Sequence, residues 1–139
     1  MRNQKITKLV DDFSFEESGY QRGNEFWKAE TLYDYVKKRK LKPFKLPLAG
    51  IDLGKAYKPF DNYNLDSVIY QIKRVNSCNI KIPIILDNIG QIADGLHRVV
   101  KAISMDMEYI MAYRLLDMPT PDEITDNKEE EYDKNKDHE

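Results

Sequence analysis

Residues 83–115, PIILDNIGQIADGLHRVVKAISMDMEYIMAYRL, constrain the fold more than any other stretch of the chain. The apolar run Pro83-Ile84-Ile85-Leu86 is stopped by Asp87-Asn88-Ile89-Gly90, the composition of a tight hairpin turn. A second short run, Gln91-Ile92-Ala93, leads into Asp94-Gly95-Leu96-His97-Arg98. Leu96, Val99, Val100 and Ile103 then recur at helical spacing, and residues 108–115 return to a strand pattern. The order strand, turn, strand, Asp-Gly corner, helix, strand predicts a mixed sheet with a helix laid against it. The corner has chemical consequences. Glycine at a strand-to-helix junction lets the backbone approach another group closely. The first turn of a helix leaves N–H groups unpaired at the positive end of its dipole, where anions bind.

The rest of the chain divides by composition. Residues 1–23 are polar and mixed, without a clear period, and are expected to be irregular. Residues 25–41 predict a helix from Phe26, Trp27, Leu32, Tyr35 and Val36, with Asn24 as its cap. It runs into a basic cluster, six cations in nine positions: Lys37, Lys38, Arg39, Lys40, Lys42 and Lys45. Pro43 and Pro47 break helix, and residues 46–53 alternate well enough for a strand in which Leu48 and Ile51 face the core. A loop with Tyr57, Pro59 and Phe60 precedes the clearest helix, residues 64–76. Asn64 or Asp61 is placed to cap it, and Leu65, Val68, Ile69, Ile72 and Val75 form its apolar stripe, with Lys73 and Arg74 on the polar side. The expected core is Ile69, Ile72, Ile84, Ile85, Val99, Val100, Ile103 and Ile110.

At 139 residues the chain is of single-domain length. The formal charge of −2 is unevenly spread. Residues 121–139 carry nine acidic residues against three lysines, which leaves nineteen basic and fifteen acidic residues in 1–120. An acidic, aromatic-poor tail of this kind is expected to be disordered. No run of eighteen apolar residues predicts a membrane span, and the first residues lack a signal core. Cys78 is the only cysteine. These features point to a reducing, cytoplasmic setting. The division expected is therefore an irregular segment 1–23, an α+β (mixed α/β) domain 24–120 with about four strands, and the tail 121–139.

Pro83-Ile84-Ile85-Leu86, Gly90, Asp94-Gly95-Leu96-His97-Arg98 and Lys101-Ala102 resemble the ParB/sulfiredoxin superfamily over roughly residues 46–115. The resemblance implies a ParB/sulfiredoxin-like core and a phosphate site at Gly95, His97 and Arg98. It also places the helix before the Pro-Ile strand along the nucleotide cleft, within reach of Lys73 or Arg74. Among the branches, sulfiredoxins carry a catalytic cysteine where Leu96 stands, so thiol chemistry is not expected. Partition proteins carry Gly-Glu-Arg-Arg and a following helix-turn-helix domain, and neither is matched here. Free serine kinases of this fold carry Asp-Gly-His-His-Arg, one residue different. Small stand-alone ParB-like proteins of phage and bacteria, with Asp-Gly-x-His-Arg, are the most similar.

The resemblance implies a nucleoside triphosphate or related nucleotide as ligand, with Mg²⁺, and leaves open phosphohydrolase, kinase or nuclease activity. In that frame Arg98 holds phosphate oxygens bidentately, and His97 donates to phosphate or serves as acid or base. Asp94 either caps the helix or helps place magnesium. A second carboxylate for phosphoryl transfer is sought at Asp52 or Asp87. Two other readings are open. Lys37, Lys38, Arg39 and Lys40 would contact nucleic-acid phosphates in an accessory DNA-binding protein. Alternatively the corner is structural, and the protein is a small interaction protein with its acidic tail as a partner-binding or DNA-mimic segment; a protein partner or a homo-oligomer is the assembly this implies.

Overall fold

Gly23 bends the first hairpin. In the computed structural model, which describes residues 19–51, 53 and 64–125, β1 (Gly19–Arg22) and β2 (Glu25–Lys28) pair antiparallel through Tyr20↔Trp27 and Arg22↔Glu25. The two residues between them are Gly23, at φ +62°, and Asn24. Glycine first in a two-residue loop matches the twist of the flanking strands. This corrects two expectations. Residues 19–22 are a strand rather than irregular chain, and the helix expected over 25–41 starts only at α1 (Ala29–Lys38). Asn24 turns the hairpin and caps nothing helical; the residue before α1 is Lys28, whose backbone N–H donates to Asp122 at 2.8 Å. Tertiary pairing decided the matter, because Glu25-Phe26-Trp27-Lys28 fits either period and its partner strand lay in a stretch with no period of its own.

The central sheet is mixed and four-stranded, in the order β3 (Phe44–Pro47), β6 (Tyr109–Arg114), β4 (Ile84–Leu86), β5 (Ile92–Asp94). β3 lies antiparallel to β6, β6 parallel to β4, and β4 antiparallel to β5. The strand expected over 46–53 is shifted: it ends at Pro47, and Leu48–Gly50 forms a 3-10 turn. Pro47 lacks an N–H and is accommodated because β3 is an edge strand. Leu48 is buried as expected, and Ile51 packs partly buried against the same cluster.

Ile84-Ile85-Leu86 is apolar without alternation because both faces of β4 are covered. Ile84 and Leu86 join Leu48, Ile110, Ala112 and the α3 (Leu96–Ser104) residues Val99 and Ala102 on one face. Ile85 joins Ala93, Trp27 and the α1 residues Leu32, Tyr35 and Val36 on the other. Thus α1 and α3 sandwich the sheet, and the whole is a single α+β domain.

The helix expected over 64–76 is α2 (Leu65–Ser77), and the Asn64 side chain caps it by accepting from the Ser67 N–H at 2.8 Å. Its packing differs from expectation. α2 lies against α3, contributes no fully buried side chain, and leaves Ile72 52% exposed. Ile103 is 40% exposed as well, since Val99 and Ala102 occupy the positions of α3 facing the sheet. Ile69 and Val100 are half-buried. Of the eight core positions, Ile84, Ile85, Val99 and Ile110 are buried.

The last strand, β7 (Glu123–Ile124), pairs with β2 in a three-stranded sheet ordered β1-β2-β7. The boundary expected at residue 121 is corrected accordingly: Asp122 accepts from the Lys28 N–H and from the Thr31 hydroxyl at 2.7 Å. These bonds hold the Asp122 carboxyl below its usual range. The expectations for residues 1–18, for Asp52, for the aromatic loop within 54–63 and for the tail 126–139 lie outside the described residues. No helix among the described residues is long and apolar enough to cross a membrane.

Candidate functional site

β5 delivers the chain to Gly95, which turns it into α3 with φ +111° and ψ +19°; its carbonyl accepts the first helical bond, from the Val99 N–H at 3.0 Å. Only glycine fits, for two reasons. The φ lies in the left-handed region. In addition, a Cβ built at Gly95 would stand 2.5 Å from Ile84 Cγ2 and 2.8 Å from Ile84 Cβ. The close approach that the Asp-Gly corner promised is thus made to the core strand β4.

The N-cap position of α3 is held by Gly95 rather than Asp94. Asp94 Oδ2 accepts from Arg98 Nη2 at 2.6 Å and from the Tyr33 hydroxyl at 2.9 Å. The four-residue spacing places the pair on one face, so this ion pair was readable from the sequence. A magnesium ion on this carboxylate would face a guanidinium and a phenol already in place, so Asp94 does not fit the metal-ligand role considered for it. Among the described residues no group of three His, Cys, Asp or Glu side chains could hold a metal ion.

Arg98 is 9% exposed. Its Nη1 donates to the carbonyls of Ile82 (2.9 Å) and Pro83 (3.0 Å), and its Nη2 to Asp94 and to Tyr33 Oη (2.9 Å). All four terminal N–H groups therefore point at protein acceptors, and the residue expected to hold phosphate oxygens instead ties α3 to the entry of β4 and to α1. Tyr33, which no pattern marked, completes the cluster. Burial first and the Asp94 carboxylate second push its phenol up to about 12, so it stays a donor at neutral pH.

His97 lies one position earlier in the same turn. Its Nε2 pairs with Gln71 Oε1 of α2, which makes Nε2 the protonated nitrogen of the neutral ring. Burial, then the nearby charges of Arg74 and Arg98, push its pKa down to about 4. The structure therefore brings His97 together with Gln71 and Arg74, the latter 5.9 Å from the centre of the Tyr70 ring. Lys73 is a half-buried neighbour on α2. Gln71 carried no signal beyond its place on the polar side of a helix.

The depressed value has a pH consequence. Between about pH 6.5 and 4 the unfolded chain binds a proton at His97 that the native protein refuses, so stability falls as the solution is acidified through that window. Allowing for screening by solvent, the loss is on the order of 2 kcal/mol. Urea midpoints measured from pH 7 to 4 should show this slope in the wild type. His97→Gln should flatten it; an equal slope in both proteins would place the proton elsewhere.

The remaining candidates are dispersed. Asp52 is outside the described residues. Asp87 follows β4, at the end of the hairpin away from Gly95, and is fully buried. Three strand residues span about 10 Å. That distance and its own bonds remove Asp87 as a base for chemistry at the α3 corner. Lys37, Lys38, Arg39 and Lys40 are exposed at the C-terminus of α1, across the sheet from α3. Arg39 lies 4.8 Å over the Tyr35 ring and 3.7 Å from Asp117.

Comparison of the chain with protein-family models, with curated proteins and with solved structures finds no match.

Proposed function

We propose that the protein is a phosphate-ligand-binding domain, with a nucleotide as the favoured ligand as the ParB/sulfiredoxin resemblance implies, acting in the reducing cytoplasm that a single cysteine fits. The observation that carries this reading is the grouping of His97, Gln71 and Arg74 beside the first turn of α3. An arginine and the main-chain N–H groups of a helix start form a donor set suited to phosphate oxygens, and the neutral His97, bonded through Nε2 to Gln71, positions α2 against that helix start. Arg98 then acts behind the site, holding the corner in shape, and Gly95 contributes through its fit to Ile84. No carboxylate among the described residues stands ready as a base there, so the reading is of binding and assigns no reaction.

The test is a melting-temperature screen of nucleoside mono-, di- and triphosphates with and without Mg²⁺. A ligand at a hundred times its dissociation constant adds about 2.7 kcal/mol. For a domain of this size that is a shift of about ten degrees. Arg74→Gln and His97→Gln should each remove most of the shift while the unliganded protein still melts cooperatively. A flat screen, or wild-type affinity in both variants, would sink the proposal.

The exposed Lys37, Lys38, Arg39 and Lys40 favour a second reading, contact with a nucleic-acid backbone. Replacing all four with glutamine should then lower the salt slope of DNA binding by up to about four. Absence of any DNA or RNA binding at ~50 mM salt would remove this reading.

A further inference from the structure

At the other end of the β4–β5 hairpin from the α3 corner lies a cavity of about 390 Å³, between the β1 strand, the turn before β5 and the 3-10 turn after β3. Its size is at the lower end of small-molecule sites. The apolar part of its wall is aliphatic: Leu46, Ile51, Leu86 and Ile92. Its polar part includes Arg22 and Gln91.

Those two side chains are held in place from behind. Asp87, with no exposed surface, accepts the Ile89 and Gln91 N–H groups at Oδ1 (3.0 and 2.8 Å). At Oδ2 it accepts the Tyr20 hydroxyl (2.7 Å) and Arg22 Nη1 (3.2 Å). Arg22 Nη1 also donates to Asn88 Oδ1 at 2.8 Å, and the guanidinium lies 5.7 Å from the Trp27 ring centre. Gln91 Oε1 accepts from Tyr20 at 3.2 Å. Both acceptor positions on each Asp87 oxygen are filled. Arg22 Nη2 and Nε and Gln91 Nε2 have no protein partner among the described residues. They are accessible, since no side-chain polar atom described is both buried and unpaired.

A preorganised guanidinium and amide, with N–H groups to spare, stand beside an aliphatic wall. We propose that this cavity binds a small amphiphilic acid, its carboxylate taken by Arg22 and Gln91 and its hydrocarbon body by Leu46, Ile51, Leu86 and Ile92. The chemistry follows from the donors. A guanidinium fixed by one nitrogen offers its remaining edge to a planar, two-oxygen acceptor. Four aliphatic side chains on the wall suit a flexible hydrocarbon chain, and the ring among the described lining residues, Tyr20, is already stacked on Trp27. This site is independent of the phosphate corner and stands or falls separately from it.

Trp27, the only tryptophan, is buried directly behind Arg22 and stacked on Tyr20 with ring centres 6.0 Å apart, so its emission reports on the cavity. Octanoate, an acid of about ten heavy atoms, is the probe; burial of several methylenes corresponds to a dissociation constant near or below about 1 mM. Titration of the full chain with octanoate should change Trp27 emission saturably, and 1-octanol should bind at least about tenfold more weakly. Gly50→Phe is the decisive variant. Gly50 lines the cavity, its φ lies outside the left-handed region, and among the described residues a Cβ there meets nothing within 4 Å, so an added ring has room at the cavity wall. It should abolish the octanoate response and leave the unliganded melting temperature unchanged. Arg22→Gln should erase the preference for acid over alcohol; if that variant does not fold, Gly50→Phe decides alone. No saturable response in the wild type, equal binding of acid and alcohol, or wild-type octanoate affinity in Gly50→Phe would each overturn the proposal.

Discussion

Arg98→Ala is expected to lose about 3–5 kcal/mol of stability, the usual cost of breaking a buried ion pair by removing one partner. The loss is large because of what stays behind. Without the guanidinium, the Ile82 carbonyl loses its Arg98 donor, and the Pro83 carbonyl and Asp94 are left to share the single Tyr33 hydroxyl proton among the bonds described. The side chain also joins three elements, α3, α1 and the entry of β4, so truncation leaves a hole where they meet. A domain of this length is stable by only about 5–15 kcal/mol, so the variant should be close to unfolding at room temperature. Arg98→Lys should recover little, because a single ammonium cannot match four acceptors laid out for a planar fork. Urea denaturation followed by circular dichroism measures both variants. If Arg98→Ala lies within about 1 kcal/mol of wild type, the guanidinium is not a structural tie, and its place at a ligand site must be reconsidered.

Asp87→Ala should be as damaging, again by about 3–5 kcal/mol. The carboxylate has no exposed surface and collects four donors, two from its own turn and two from the β1 hairpin. It therefore ties the three-stranded sheet to the four-stranded one. Burial alone would raise its pKa, but the bonds from Tyr20, Gln91, Ile89 and Arg22 outweigh it and hold the carboxyl below its usual range. The stability it supplies is present above the unfolded carboxyl pKa near 4 and is lost as pH falls through the lower folded value. Asp87→Asn tests the charge separately. Its amide turns a donor toward donors, so it should also destabilise and should remove the Asp87 share of the acid transition. A variant with wild-type stability at pH 7 would show that the hairpin is anchored by other contacts.

Both residues bear on how far the chain could be read before its structure was known. The apolar run at 84–86, the turn chemistry of 87–90, the Asp-Gly corner, the Asn64 cap and the period of α2 are local signals, and each element they predict is present. Local signals ended where two periods fitted equally. Glu25-Phe26-Trp27-Lys28 suits a helix or a strand, and only pairing with β1 and β7 chose the strand. The apolar stripe of α2 stated that a helix forms but not what it packs on, and its contact with α3 leaves Ile72 exposed.

The candidate site divides in the same way. The motif Asp94-Gly95-Leu96-His97-Arg98 marked the corner correctly, because backbone conformation and i,i+4 spacing are properties of neighbouring residues. Which side chains face a ligand and which face the interior was not encoded there. Arg98 is turned inward by two carbonyls fifteen and sixteen residues earlier in the chain and by a tyrosine sixty-five residues earlier. His97 is made neutral by burial and by a cation on another helix. Asp87, legible as a turn residue, became the centre of a network because Tyr20 and Arg22 arrive from the far end of the chain. The sequence alone determined the elements from β4 to β6 and the helix α2, since turns, caps and periodicity act over a few residues, whereas the β1, β2 and β7 strands were chosen by pairing. Only the tertiary structure decided burial, protonation and partner, because those depend on desolvation and on charges that distant segments bring within a few ångströms.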